Sequence, residues 1–433
     1  MERLTHGGVR SLRSEGKIQE ALFVSASMLR ANPTDLTAWY LLAATLLEAG
    51  RRDEAADAFA GLSRACDKGG DLPMAVVAAL QCGNAGGQAA QLLEGLAAAY
   101  SASSGGLVDD SRLSPPKVPR AVEADLRMAA SREAVDGAIA TGLALAESAV
   151  SAQAAAPRRF FPLWSSLGRE AFACFARHLS PREAAAGEVV LAQGDAGHTF
   201  YLIARGEVRV VHRSASSETL LARLGAGSFF GEMAIVARAA RAASVEAVDE
   251  TILLAADMAT LESLEPDAPE VGHVLRAFCH SRMLENLVLA SPVLAAVPLR
   301  ERPSLISRFV PRTYPAGTCV IEEGAEGPGL SLIVSGEVEV TRRDEGETLQ
   351  LARLGPGDLF GEISLVLRRP ATATVTTSSE TVTLDLPRDV FLETIKRHPE
   401  LLARLYETAL EREDETASIL ARPVSSADDL VLV

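Results

Sequence analysis

Residues 230–245 read FGEMAIVARAARAASV, and residues 360–375 read FGEISLVLRRPATATV. The two runs lie 130 positions apart. Both open on Phe-Gly-Glu and close on a small hydroxyl residue followed by valine. They part at one decisive charge: Arg241 in the first stands where Ala371 stands in the second, while Arg369 in the second stands where Ala239 stands in the first.

Working outward from these runs, Gly187, Gly194, Gly206, Gly225, Gly227 and Gly231 recur as Gly317, Gly324, Gly336, Gly355, Gly357 and Gly361, all at the same offset of 130. Leu221-Ala-Arg-Leu-Gly225 recurs letter for letter as Leu351-Ala-Arg-Leu-Gly355. A register held this long without insertion means one duplicated domain. Inside each copy, apolar and polar residues alternate about a glycine: Thr199–Ala204 then Gly206–Val211, and Leu330–Ser335 then Gly336–Thr341. Period-2 runs punctuated by glycine predict short antiparallel strands. Helices are expected over Leu167–Leu179, Ala268–Leu289 and Val390–Leu420, the second showing an apolar stripe at Val271, Val274, Leu275 and Phe278. Each copy is therefore expected to be a small β-roll, jelly-roll-like, closed by helices.

A second repeat, of period 34, lies nearer the N-terminus. Gly16-Lys-Ile-Gln-Glu20-Ala21 aligns with Gly50-Arg-Arg-Asp-Glu54-Ala55, and Ala89 falls a further 34 on, with Asn84 at the glycine position. Trp39, Leu42, Ala43, Leu46, Ala55, Phe59 and Leu62 fall at helical spacing. Small residues let paired helices approach closely, and Gly50 suits the turn between them. The pattern W-x2-L-A-x2-L followed by G-x3-E-A-x3-F resembles the tetratricopeptide repeat, whose fold is a stack of helix pairs. A generic Ala-rich helical bundle is the alternative. Residues 101–120 are rich in Ser, Gly and Pro and predict a linker. The Ala-rich stretch 121–156 predicts a helical connector or one further hairpin.

The domain plan that follows is residues 1–100, helical repeats; 101–159, linker and connector; 160–290 and 291–421, the two β-roll domains; and 422–433, a flexible tail. The fold class is multidomain α and β.

Both β-roll copies, over roughly residues 160–421, resemble the cyclic nucleotide-binding domain family, which includes catabolite activator proteins and the regulatory subunits of cyclic-nucleotide-dependent kinases. The family's phosphate-binding cassette reads F-G-E-x-A-L, a few variable positions, then P-R-A-A-[ST]-V. The first copy matches at Phe230, Gly231, Glu232, Ala234, Arg241, Ala242, Ala243, Ser244 and Val245, and departs at Ala240, where the family usually has proline.

This resemblance implies a nucleotide site formed by Gly231, Glu232, Met233, Ala234, Arg241, Ala242 and Ser244. Arg241 can donate two parallel hydrogen bonds to a cyclic phosphate. Gly231 lets backbone approach, and N–H groups at the start of the following helix form an anion nest. Glu232 is the natural acceptor for a ribose hydroxyl. Ser244 holds the family's Ser/Thr position near the base. Threonine directly after the arginine tends to favour cGMP in this family; Ala242 leans towards cAMP. The second copy keeps Gly361 and Glu362 but lacks the arginine. Charged hydrogen bonds contribute about 1.5–3 kcal/mol each, so losing a bidentate pair weakens binding by about 10²–10⁴-fold. Gly361, Glu362, Arg369 and Thr372 form at most a weak second site.

Composition narrows the remaining classes. A formal net charge of −15 opposes non-specific nucleic-acid or anionic-membrane binding. The five cysteines, Cys66, Cys82, Cys174, Cys279 and Cys319, form no CxxC and are expected to be reduced thiols. No signal peptide, membrane span, metal-binding histidine spacing, Walker A loop or nucleophile elbow is evident. The acidic segment after Pro399 does not suit a DNA-binding helix-turn-helix.

The expected protein is a cytoplasmic, non-enzymatic regulator. It has no cofactor, a cAMP or cGMP ligand in the first β-roll, and a protein partner on the concave face of the helical repeats. A scaffold built from two ligand-free β-rolls is the alternative.

Overall fold

A computed structural model of the chain describes residues 2–108, 121–213, 218–232, 241, 243–257, 259, 268–275, 277–278, 305, 308–344 and 346–420. The helical region is set by its turns. Gly16, Gly50, Gly70 and Gly86 all adopt positive φ, between +74° and +99°. At each, two backbone bonds close the preceding helix. At Gly50, Gly50 N–H donates to Leu47 O at 3.0 Å and Arg51 N–H to Leu46 O at 2.9 Å. This double closure needs a left-handed residue, which glycine adopts without strain.

The helices between these turns are α1 (His6–Ser14), α2 (Ile18–Ala31), α3 (Leu36–Glu48), α4 (Arg52–Lys68), α5 (Leu72–Asn84) and α6 (Ala89–Tyr100). They form three helix pairs. Trp39, Tyr40, Phe59 and Leu62 are almost fully buried. A side chain at Gly61 would come within 2.8 Å of the Trp39 ring, so glycine sets how closely α3 and α4 pack. The third pair departs from the strict period. Asn84 is the last residue of α5, and the turn falls at Gly86, two positions later.

The expected linker and connector also differ in part. Residues 109–120 lie outside the described residues. After them, β2 (Val122–Ala124) pairs with β1 (Glu2–Leu4), and α7 (Arg132–Ala152) packs along α2. Close approach is again the reason: a Cβ at Gly142 would meet Ala26 O at 3.0 Å. The Ala-rich stretch thus extends the helical layer as a single helix. A short helix α8 (Arg169–Arg177) follows, its Phe172 and Phe175 packed on Trp164.

The first β-roll contains β3 (Ser180–Ala184), β4 (Val189–Leu191), β5 (Thr199–Arg205), β6 (Glu207–Arg213), β7 (Glu218–Gly225), β8 (Phe229–Phe230), β9 (Ser244–Ala247) and β10 (Thr251–Asp257). They form two four-stranded antiparallel sheets, ordered β3-β10-β5-β8 and β4-β9-β6-β7. The inward residues of both sheets, among them Ile203, Val208, Phe230, Val245 and Leu253, make one apolar core.

The second roll repeats this topology with β11 (Val310–Tyr314), β12 (Cys319–Ile321), β13 (Gly329–Ser335), β14 (Val338–Asp344), β15 (Glu347–Leu354), β16 (Leu359–Phe360), β17 (Thr374–Thr377) and β18 (Thr381–Pro387), ordered β11-β18-β13-β16 and β12-β17-β14-β15. Six of its eight strands begin 130 residues after their counterparts. Gly206 and Gly336 mark the same turn. A Cβ at either would lie within 2.8 Å of the backbone of Thr251 or Thr381.

The expected helix 268–289 is described only in part, at 269–275 and 277–278. The expected single helix Val390–Leu420 is two helices besides the short α9 (Glu362–Val366): α10 (Arg388–Arg397) and α11 (Pro399–Leu420). Pro399 disfavours helical backbone at the residue before it, and His398 sits at φ −127°, ψ 72°. The tail 422–433 lies outside the described residues.

By its contacts the chain forms two compact units: Met1–Ile235 with Ala243–Cys279, which holds the helical repeats and the strands of the first β-roll, and Val236–Ala242 with His280–Val433, which holds the second β-roll and Arg241. Within the first unit, α5 contacts β3 and β5, and side chains of α1 and α3 bond to the same roll. The β-roll thus lies against α1, α3 and α5.

Candidate functional site

In the first roll, β8 delivers the chain to the cassette. Phe230 pairs with Tyr201 of β5, and their rings stack with centroids 5.1 Å apart. Gly231 follows at φ +88°. Beyond this turn Glu232 is 3% exposed, and Arg241 is buried as well, 6% exposed. Met233, Ala234 and Ala242 lie outside the described residues. Burial of both a carboxylate and a guanidinium is unusual, because neither is fully buried without a partner of opposite charge or strong hydrogen bonds.

Ser244 opens β9 and is 3% exposed. Its Oγ accepts the backbone N–H of Gln193 at 3.0 Å. In the second roll Thr374 Oγ1 accepts the N–H of Glu323 at 3.1 Å. The hydroxyl common to both copies therefore ties the start of its strand to the turn that follows the neighbouring strand, whatever else it touches. The recurrence at the end of each run is explained by this bond.

The second cassette forms a cavity of about 380 Å³. Gly361, at φ +87°, caps α9; a Cβ there would lie 2.4 Å from Gly329 O, so only glycine fits. Glu362 is 1% exposed, and its Oε1 accepts from Arg412 Nη1 at 2.6 Å. The same Nη1 donates to Leu359 O at 2.7 Å. Thr372 lines the cavity. Arg369 does not: it pairs instead with Glu413 on α11.

Ala371 is buried in an apolar cluster with Ile321, Ile333, Val338, Leu354, Phe360 and Val375. The place of the missing arginine is thus filled by apolar packing. Four charged residues line the cavity: Arg353, Asp358, Glu362 and Arg412. Both arginines face carboxylates, Arg353 those of Glu337 and Glu339 and Arg412 that of Glu362. The lining carries no excess positive charge for a phosphate. Sequence reasoning missed Arg412. It lies within the acidic run Glu411-Arg412-Glu413-Asp414, which has the look of a solvated helix face.

A family model for the cyclic nucleotide-binding domain matches residues 181–265 and 311–398, and one for the tetratricopeptide repeat matches residues 12–67. The chain is 30% identical over 228 residues to the cAMP-dependent protein kinase regulatory subunit of Dictyostelium discoideum, covering 52% of this chain and 67% of that one. The chain belongs to the cyclic nucleotide-binding domain family.

It is also 31% identical over 229 residues to the cAMP-dependent protein kinase regulatory subunit of Yarrowia lipolytica, covering 53% of this chain but only 57% of the relative. Among solved structures, the regulatory domain of Toxoplasma gondii PKA with cAMP aligns at 20% identity over 57% of this chain and 92% of that one, with a TM-score of 0.28. The two relatives named here are regulatory rather than catalytic subunits. The chain carries two tandem cyclic nucleotide-binding domains behind tetratricopeptide repeats. Among the described residues, no helix is long and apolar enough to cross a membrane.

Proposed function

We propose that the chain is a cyclic-nucleotide-responsive regulator, without catalysis of its own and working in the cytoplasm, whose ligand occupies the first cyclic nucleotide-binding domain, residues 160–290. The observation that carries this proposal is that Glu232 and Arg241 are each buried, whereas the second copy has an apolar cluster at the arginine position. In this proposal Arg241 forks onto the cyclic phosphate and Glu232 accepts from the ribose. The turn at Gly231, with the backbone of Met233 and Ala234, supplies N–H groups to the same anion. Ala242 favours cAMP over cGMP.

The names of the relatives suggest a protein kinase catalytic subunit as one class of partner, with the helical repeats engaging a protein as well. The second domain, residues 291–421, serves on this proposal as a structural or interaction domain. Ala371 and the balanced charges of its cavity favour that role.

Calorimetric titration of the purified chain with cAMP and with cGMP tests the proposal. Saturable binding abolished by Arg241→Ala supports it. No binding of either nucleotide at sub-millimolar concentration sinks it and leaves the ligand-free scaffold.

A further inference from the structure

The charges between the helical repeats and the first β-roll are matched one against another. Arg10 of α1 forms an ion pair with Glu250, the residue before β10. Arg13 of α1 holds Glu48 and reaches Glu183 of β3 at 3.4 Å. Tyr40 of α3 donates its hydroxyl to the other oxygen of Glu183 at 2.9 Å. In the opposite sense, Arg205, the last residue of β5, donates to Thr37 Oγ1 at 2.5 Å.

Arg205 also enters the helical layer where two carboxylates cap helices. Asp35 caps α3 by accepting the N–H groups of Thr37 and Ala38, and Asp71 caps α5 by accepting that of Met74. Burial pushes the Asp71 carboxyl up, and the Arg205 charge works against that rise. Against its own burial, Asp35 is held down by its hydrogen bond with His6, to which the Arg205 charge adds.

On the β-roll side, Ile252 of β10 pairs with Glu183 in one direction and, beside a register shift between Ile252 and Leu253, with Arg205 in the other, so acid and base sit in one cross-strand row. Residues paired across strands share a sheet face. The roll thus presents an arginine beside a carboxylate at fixed spacing, and three odd-numbered helices receive it. Generic adhesion does not need such a register, whereas specific docking does.

We propose that the face formed by α1, α3 and α5 is a docking surface whose resident occupant is the first β-roll of the same chain, latched by Arg205, Glu183 and Glu250. The repeats then act first in cis, and a protein partner gains this face only by displacing the roll. This deepens the partner role proposed above but stands without any ligand. The latch lies on the strand that also pairs with β8, about 13 Å of strand from Tyr201 to Arg205.

Hydrogen exchange of the full chain without nucleotide tests the latch, so its outcome is independent of whether cAMP binds. Arg10→Glu sets a carboxylate against Glu250 and Glu183 and is expected to speed exchange in α1, α3 and α5 about tenfold or more. The swap Arg10→Glu with Glu250→Arg should return exchange to within about threefold of wild type. Arg205→Ala should accelerate the same helices, and 1 M salt should do so in the wild type. Should Arg205→Ala fail to fold, the charge swap still decides. Exchange unchanged in Arg10→Glu, or acceleration that the swap does not rescue, would overturn the latch.

Discussion

Arg241 and Ala371 occupy equivalent positions in the two runs, and both are buried. Ala371 is packed among aliphatic side chains, and its neighbour Glu362 takes its counter-charge from Arg412. Removing that counter-charge is a direct test of the second cavity. Arg412→Ala leaves a carboxylate with a side chain 2% exposed without its cation. A broken buried pair costs about 3 kcal/mol, to be read as a lower denaturation midpoint in urea. Unchanged stability would mean that Glu362 finds water or another donor at no cost. Ser244→Ala offers a milder case. It orphans the Gln193 N–H and should cost about 1 kcal/mol, seen as a small fall in Tm. The Arg241/Ala371 contrast and the glutamates were legible in the sequence because duplication supplied an internal alignment. Arg412 was not legible. Its partner lies 50 residues away, and only tertiary packing of α11 brings them together.

At the scale of elements, glycine positions told most. Gly16 and Gly50 mark helix ends, and the repeated glycines mark the strand turns. The turn of the third helix pair was misplaced because α5 runs to Asn84 before turning at Gly86, a shift that a fixed period cannot show. The Ala-rich stretch gave no amphipathic signal strong enough to reveal that α7 packs on α2; Gly142 does so only once the neighbouring backbone is known.

The cap of α5 carries a pH dependence. Burial raises the Asp71 carboxyl above its ordinary 3.8, with Arg205 and Arg159 opposing. A raised folded value means that the folded state holds this proton more tightly than the unfolded state. Its contribution to stability is present below 3.8 and is lost as pH rises through the folded value. Asp71→Asn keeps a good helix cap without ionising. The stability of this variant relative to wild type should therefore rise as pH increases from 3.8 upward, measured by urea melts at a series of pH values. A flat difference would contradict the assignment.

For the whole molecule, two copies of one β-roll have taken different courses inside the same topology. The first keeps both the glutamate and the arginine of the cassette sequence, each buried, and its strands lie against the helical repeats. The second fills the arginine position with an apolar side chain and balances the charge of its cavity. On the proposed function the chain has one functional cyclic-nucleotide site, although the fold supplies two. The measurement that tests this most directly is the stoichiometry of cAMP binding by calorimetry in wild type and Arg241→Ala. The expected result is one equivalent per chain, with affinity falling about 10²–10⁴-fold in the variant. Two equivalents per chain, or one equivalent that survives Arg241→Ala, would contradict it.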